Sequence, residues 1–309
     1  MRGELITLHN LASLDYLTHN YAAARRGTEQ GLVIARKLGY RWGEALSLGD
    51  LSDVVRMQGE YSLAYELAER ALTMLEALGA TVESATALVR LAHLSTVLGD
   101  YAQAQAWFDQ FFQILRIIES PAGELLDGLL RLAVFAHSTG DPSRALAYAA
   151  QSLQIAQEQR DPSRQAHALI VEAYVLAGLG RHAEAAPAYQ RALAFAGEID
   201  DPALLAEARA GLASVALAQR DLAAARAQVE ALLAILDDYP RAGLDEPFFA
   251  YLVCYRVLDA LRDPRAAAVL EAGQRLLREY ADNIASPALR QSFLENVATH
   301  RELLAAGPR

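Results

Sequence analysis

Arg90 in "LVRLAH" and Arg131 in "LLRLAVFAH" stand in matching contexts, each followed by a histidine, His93 and His137. Two guanidinium groups at equivalent places would offer charge-assisted donors to a carboxylate or phosphate. Arg56 and Tyr174 fall on the same face when the surrounding segments are aligned, with Asn10, Ser13, Asp50, Asp53 and His167. The competing reading is a solvated groove in which Asp50 and Asp53 neutralise Arg56 and Arg90 internally. A second pair is Glu172 and Arg209, which replace leucines found at equivalent places, such as Leu91 and Leu88. A lone buried charge is costly and a paired one tolerable, so an ion pair between them is the structural expectation. Two solvated charges, or a functional acid at Glu172, are the alternatives.

No catalytic constellation accompanies these residues. The sequence lacks GxxxxGK[ST], GxGxxG after a strand, HExxH and GxSxG. The seven histidines do not pair at ligand spacing within a helix, so neither metal nor cofactor is expected. Cys254 is the only cysteine and sits in an apolar stretch, as a small core residue does. The chain reads as a non-enzyme.

The composition narrows the partners. The net charge is −10 and Lys37 is the only lysine, with the arginines scattered. Nucleic-acid binders cluster Lys and Arg against phosphates, so direct DNA or RNA binding is not expected. The apolar stretch "FFAYLVCY" (248–255) is far short of the roughly 20 residues that cross a bilayer. His9 and Asn10 interrupt any signal-peptide core, and the chain reads as soluble and cytoplasmic.

The elements that must position these residues follow from a repeat. Short turns end on Tyr21, Tyr61, Tyr101, Pro142, His182, Leu222 and Pro264, at spacings of 40, 40, 41, 40, 40 and 42. A second set of turns, at 38–40, 78–80, 119–121, 160–162 and 200–202, halves each period. Asp141-Pro142, Asp161-Pro162, Asp201-Pro202 and Asp263-Pro264 have the form of helix starts. Asp caps orphan N–H groups, and Pro occupies the first helical position. Each period therefore holds two helices. Small residues recur in the first helices (Ala12, Ser52, Ala92, Ala133, Ala173, Ala213) and in the second (Ala24, Ala64, Ala104, Ala145, Ala185, Ala225, Ala267). They let helix backbones approach closely. Tyr255 breaks the pattern in the last period.

Leu-small, then Gly-Asp/Glu-Tyr, then Ala, then Ala-Leu resembles the tetratricopeptide repeat, in a long variant of about 40 residues. Such units are similar to the arrays of MalT-like bacterial activators and of signalling ATPases. The resemblance implies an all-α, right-handed superhelical solenoid of about seven helix-turn-helix repeats over 1–285. The units fall near 4–40, 41–80, 81–120, 121–160, 161–200, 201–243 and 244–285. A capping helix and tail over 286–309 follow, with Ser286 and Pro287 at the helix start. It also implies a protein or peptide partner, or a small-molecule inducer, in a groove lined by the first helices. By this resemblance the array belongs to a larger regulator; a stand-alone adaptor is the alternative.

The aromatic run Trp107, Phe108, Phe111, Phe112 invites a ligand-pocket reading. Phe111 occupies the place of Ala71 and Ala192, while Gln103, Asp109, Gln110 and Gln113 point elsewhere. Packing between helices is therefore expected, with Ala133 and Ala136 making room for the larger ring.

Overall fold

The computed structural model describes residues 2–118, 122–238 and 243–307, and every regular element among them is a helix. In chain order these are α1 (Arg2–Leu17), α2 (Tyr21–Lys37), α3 (Arg41–Met57), α4 (Tyr61–Ala77), α5 (Thr81–Val97), α6 (Tyr101–Leu115), α7 (Ala122–Ser138) and α8 (Pro142–Glu158). They continue with α9 (Pro162–Gly178), α10 (His182–Glu198), α11 (Pro202–Ala218), α12 (Leu222–Asp238), α13 (Pro247–Ala260), α14 (Ala266–Asp282), α15 (Pro287–Glu295) and α16 (Ala298–Ala305).

The regular beat comes from a two-residue device at each turn. One residue takes a left-handed backbone, and at most described turns the next stands at the N-cap position, where an Asp or Asn caps the following helix. Glycine supplies the first at Gly59 and Gly99 (φ 80° and 71°), whereas Arg160, Asp200 and Arg220 adopt it at 54°, 53° and 63° without glycine's freedom. The capping carboxylates act as the sequence implies. Asp141 and Asp161 accept from the Arg144 and Arg164 amides, each at 3.1 Å. Asp201 accepts from Ala203 and Leu204 at 2.9 and 3.0 Å. Pro142, Pro162 and Pro202 each begin a helix. The expected turn Glu119-Ser120-Pro121 lies outside the described residues.

The last expected start is different. Asp263-Pro264 precedes α14 by a turn, and the helix begins at Ala266. Asp263 is engaged by the backbone and side chain of Arg265, which also reaches Glu230. The register shifts accordingly: Ala266 is buried and Ala267 exposed.

The chain divides into two compact units: residues 1–125 with 282–292, and residues 126–281 with 293–309. In both, successive helices pack as neighbouring pairs, α3 on α4 and α5 on α6 in unit 1, α9 on α10 and α11 on α12 in unit 2. The recurrent small residues sit in these contacts. Ser52, Ala92, Ala64 and Ala104 in unit 1, and Ala173, Ala213, Ala185 and Ala225 in unit 2, are buried. At Gly211 of α11 the approach is so close that a β-carbon would lie 2.1 Å from the Tyr189 ring of α10.

The expected boundary at 285/286 falls inside the segment 282–292 of unit 1. There the Ala285 amide donates to Ser62 Oγ at 2.9 Å. The C-terminal segment forms two short helices where one is expected. The turn at 296–297 brings His300 Nδ1 to the Phe293 carbonyl (2.7 Å) and Arg301 to the Glu295 carbonyl (2.8 Å). These side chains take over carbonyls that a helix end leaves without an intrahelical donor. Burial pushes the pKa of His300 down to about 4. Its ring packs against Phe293 and Phe248 with centroids 4.2 and 4.7 Å away. Tyr255, at a position where a small residue is expected, donates its hydroxyl to the Gly307 carbonyl at 2.6 Å. The larger side chain ties α13 to the C-terminal tail.

Candidate partner-binding face

In unit 1 the first helices of the hairpins are α1, α3 and α5, and a ladder of charges crosses them. His9 Nδ1 lies 3.0 Å from Asp50 Oδ2. Arg90 Nε donates to Asp53 Oδ2 at 2.7 Å, and its Nη2 lies 3.5 Å from Asp50 Oδ1. Gly49 leaves room for this guanidinium, since a β-carbon there would lie 2.5 Å from Arg90 Nη1. Burial works against the charge on Arg90, but Asp53 and Asp50 outweigh it and its pKa is raised. The hydrogen bond to Asp50 raises the pKa of His9. Arg90 is thus engaged by the chain's own carboxylates. Arg56 and His93, expected on the open face, are buried, at 8% and 7% exposure.

Unit 2 builds a denser cluster on α7, α9, α11 and the segment before α13. Arg131 Nη1 donates to Asp245 Oδ2 at 2.6 Å, and His167 Nε2 lies 3.3 Å from the same oxygen. The Asp245 amide donates to Glu207 Oε1 at 2.8 Å. Glu246 follows as the residue before α13. Asp245 thus holds both cations, with the carboxyl groups of Glu207 and Glu246 close enough to feel its charge. Burial, and next the charge of Asp245, push Glu207 up to about 7. Burial, then Asp245 and Glu207, push Glu246 up to about 8. For His167 burial opposes protonation, but the hydrogen bond and charge of Asp245 prevail and the pKa is raised. No group of three or more His, Cys, Asp or Glu among the described residues is placed to hold a metal ion.

Aromatic surface adjoins these charges. His137 and Tyr174 meet edge to face with centroids 4.8 Å apart, and Tyr174 meets Phe249 in the same way at 5.7 Å. Tyr174 and His167 both project from α9 two turns apart, which places them on one face. Gly178 makes room for His137, whose Cε1 would lie 2.5 Å from a β-carbon there. Burial lowers the pKa of His137.

The expected ion pair between Glu172 and Arg209 does not form. Arg209 Nη1 donates to Gln228 of α12 at 3.1 Å. Burial raises the pKa of Glu172, and the cation that offsets this is Arg191 of α10. Arg209 thus turns to the second helix of its own hairpin. Both residues stay partly exposed.

The aromatic run on α6 serves two purposes. Phe108 and Phe111 are fully buried in unit 1, as packing requires. Ala133, expected opposite Phe111, is buried within unit 2 among Leu126, Leu130 and Ala149. Phe112, with Asp109, Gln113, Leu115 and Arg116, lines an open depression of about 610 Å³. Trp107 donates to the Tyr65 hydroxyl at 3.0 Å.

Sequence reasoning overlooked Glu207, Asp245, Glu246 and Phe249. Glu207 was within reach of it, because it follows His167 by one 40-residue period. Asp245, Glu246 and Phe249 lie where the last period stretches, so repeat alignment has no register for them.

Paired helices at this spacing, with small residues at each crossing, define a helical-hairpin repeat protein. Residues 124–198 match the family model described as tetratricopeptide repeat, and the chain carries repeats of that type. No curated protein matches the chain in sequence. Among solved structures, a Rap protein complexed with Competence and Sporulation Factor matches over 98% of this chain and 85% of its own, at TM-score 0.67 and 14% identity. A Signal Transduction ATPase with Numerous Domains protein with a tetratricopeptide repeat sensor, from Pyrococcus horikoshii, matches over 98% of this chain at TM-score 0.62 and 15% identity. This chain spans 45% of that one. BtubC from P. vanneervenii matches over 72% of this chain and 92% of its own, at TM-score 0.55 and 18% identity. At these identities the likeness is one of fold. No helix among the described residues is long and apolar enough to cross a membrane.

Proposed function

We propose that the chain is a non-catalytic interaction or sensor module that holds a protein or peptide partner on the first-helix face of unit 2. The supporting observation is the juxtaposition there of the His137–Tyr174–Phe249 aromatic row with the Arg131–His167–Glu207–Asp245 cluster. Aromatic rings offer large contact area at low entropic cost, and such rings dominate protein recognition sites. The charge balance revises the chemistry of the partner. The two arginines that would clamp an anion already hold Asp53 and Asp245. The groups left over on this face are the carboxyls of Glu207 and Glu246, held above their ordinary value and ready to ionise beside an added cation, so a partner presenting an aromatic or apolar side chain beside a cationic group fits it best.

The Rap protein is complexed with Competence and Sporulation Factor, and the Pyrococcus protein carries its array as a sensor. These neighbours support a regulatory setting, in which this array senses a partner or a small inducer for a larger bacterial regulator of the MalT-like or signalling-ATPase kind. A stand-alone adaptor is the outcome if the reading frame upstream of Met1 encodes no such module. The binding claim is tested by selecting peptides on the purified chain and measuring their affinity by calorimetry. Tyr174→Ala and Glu207→Gln should each weaken binding about tenfold or more, as truncation of a central contact does. Glu198→Ala, exposed on α10, should leave it unchanged. Equal affinities across all three variants would remove this face from consideration.

A further inference from the structure

Helix α1 carries an apolar face that its own unit does not cover. Ile6, Leu11, Leu14 and Leu17 are 61%, 53%, 57% and 69% exposed. Their spacing keeps them on one broad side of the helix. One 40-residue period on, Leu51 and Val54 of α3 are 7% and 2% exposed, and Leu91 and Leu94 of α5 are 0% and 1% exposed. On the other side of α1 no such difference arises: Ala12, Ser52 and Ala92 are all buried. Helix α1 has its hairpin partner α2, as α3 has α4 and α5 has α6. What α3 and α5 have in addition is a second helix on the preceding side, α2 for α3 and α4 for α5. Val54 shows what that helix brings, for it packs with Tyr21 and Ala24 of α2.

We propose that this face of α1 is a docking surface for one amphipathic helix, supplied from outside these 309 residues, that carries the small-residue pattern of α2 and α4. The pattern is an aromatic followed at i+3, i+7, i+10 and i+14 by mostly small residues. In α2 it is Tyr21, Ala24, Thr28, Gly31, Ala35, and in α4 Tyr61, Ala64, Ala68, Ala71, Leu75, all buried. The occupant continues an interface that unit 1 already builds twice. A second copy is a poor source of it. Its last hairpin helix, α14, is engaged by the C-terminal segment, with Gln274 donating to the Leu303 and Ala306 carbonyls and Gly273 against Leu303. The inference does not rest on the partner face of unit 2.

The test uses the full chain with Cys254→Ser and Leu14→Cys, and reads the rate of maleimide labelling. As the probe helix, a duplicate of residues 1–40 is fused ahead of Met1, one period out. Labelling should slow about tenfold or more, the protection expected of a packed helix face. Tyr21→Asp with Ala24→Asp in the duplicate alone should restore the fast rate. In the unextended chain, Leu11→Asp with Leu14→Asp should leave the melting temperature unchanged, because both side chains are more than half exposed among the described residues. Unchanged labelling in the extended chain would overturn the proposal. So would a loss of stability in the unextended double variant, or sedimentation of the unextended chain as a dimer with position 14 protected.

Discussion

Asp245 accepts from Arg131 and His167 while its own amide donates to Glu207. The crowding of carboxylates around it has a consequence for stability. Glu207 and Glu246 are held above the ordinary value of 4.5, at about 7 and about 8. Above 4.5 the unfolded chain ionises them readily and the folded chain does so reluctantly, so they cost stability increasingly as pH rises towards those folded values. His167, also raised, contributes stability in full below its unfolded value of 6.5, and loses it as pH rises through the folded one. Both effects have one sign. Between about pH 5 and pH 8, Glu207→Gln should gain stability relative to wild type. The melting temperatures should separate at about 2–4 °C per kcal/mol. Parallel melting curves at both pH values would contradict the assignment. Asp245→Asn should lower the pKa of His167, read from its ring proton shifts in NMR spectra. In unit 1, Arg90→Ala removes a charged hydrogen bond and leaves Asp50 and Asp53 without that cation. A loss of about 1.5–3 kcal/mol in chemical denaturation is expected.

The turns are the most legible part of the sequence, because their chemistry is local. A left-handed residue followed by a capping carboxylate and a proline is written in consecutive letters at Asp200-Asp201-Pro202, and the structure forms that device there. Asp201→Ala should cost about 1 kcal/mol, within the range of about 0.5–2 for lost caps, while Asp201→Asn should be nearly neutral. Arg220 adopts φ 63° without being glycine. Arg220→Gly should therefore stabilise by up to about 1 kcal/mol, the left-handed penalty less glycine's extra chain entropy. Gly211→Ala should act oppositely. A β-carbon 2.1 Å from the Tyr189 ring forces the α10–α11 contact apart, and overpacking of this kind costs about 1–3 kcal/mol. Denaturant midpoints of the four variants order these effects. The element that the sequence misplaces, α14, is one where the local signal is diverted. Asp263 spends its carboxylate on Arg265, and the helix starts two residues after Pro264.

Over the whole molecule, the helical pairing follows from the 40-residue beat, and the partners of the charged side chains do not. Arg131 meets Asp245, which is 114 positions away, through a segment where the period stretches. Repeat alignment places Arg131 on the first helices but says nothing of what crosses them. The same limit explains Glu172 and Arg209. Equivalent places in successive units suggest a pair, yet Arg209 bonds Gln228 within its own hairpin, and the cation that acts on Glu172 is Arg191. The seventh period shows the reverse, since the anomalous Tyr255 is legible as a break and its hydroxyl proves to hold the C-terminal tail. The central claim is that the first-helix face of unit 2 receives the partner. Hydrogen–deuterium exchange of the chain, with and without a peptide selected on it, tests this most directly. Protection confined to α7, α9, α11 and the start of α13 is the expected result. Protection on α8, α10 and α12 instead, with the first helices unchanged, would contradict it.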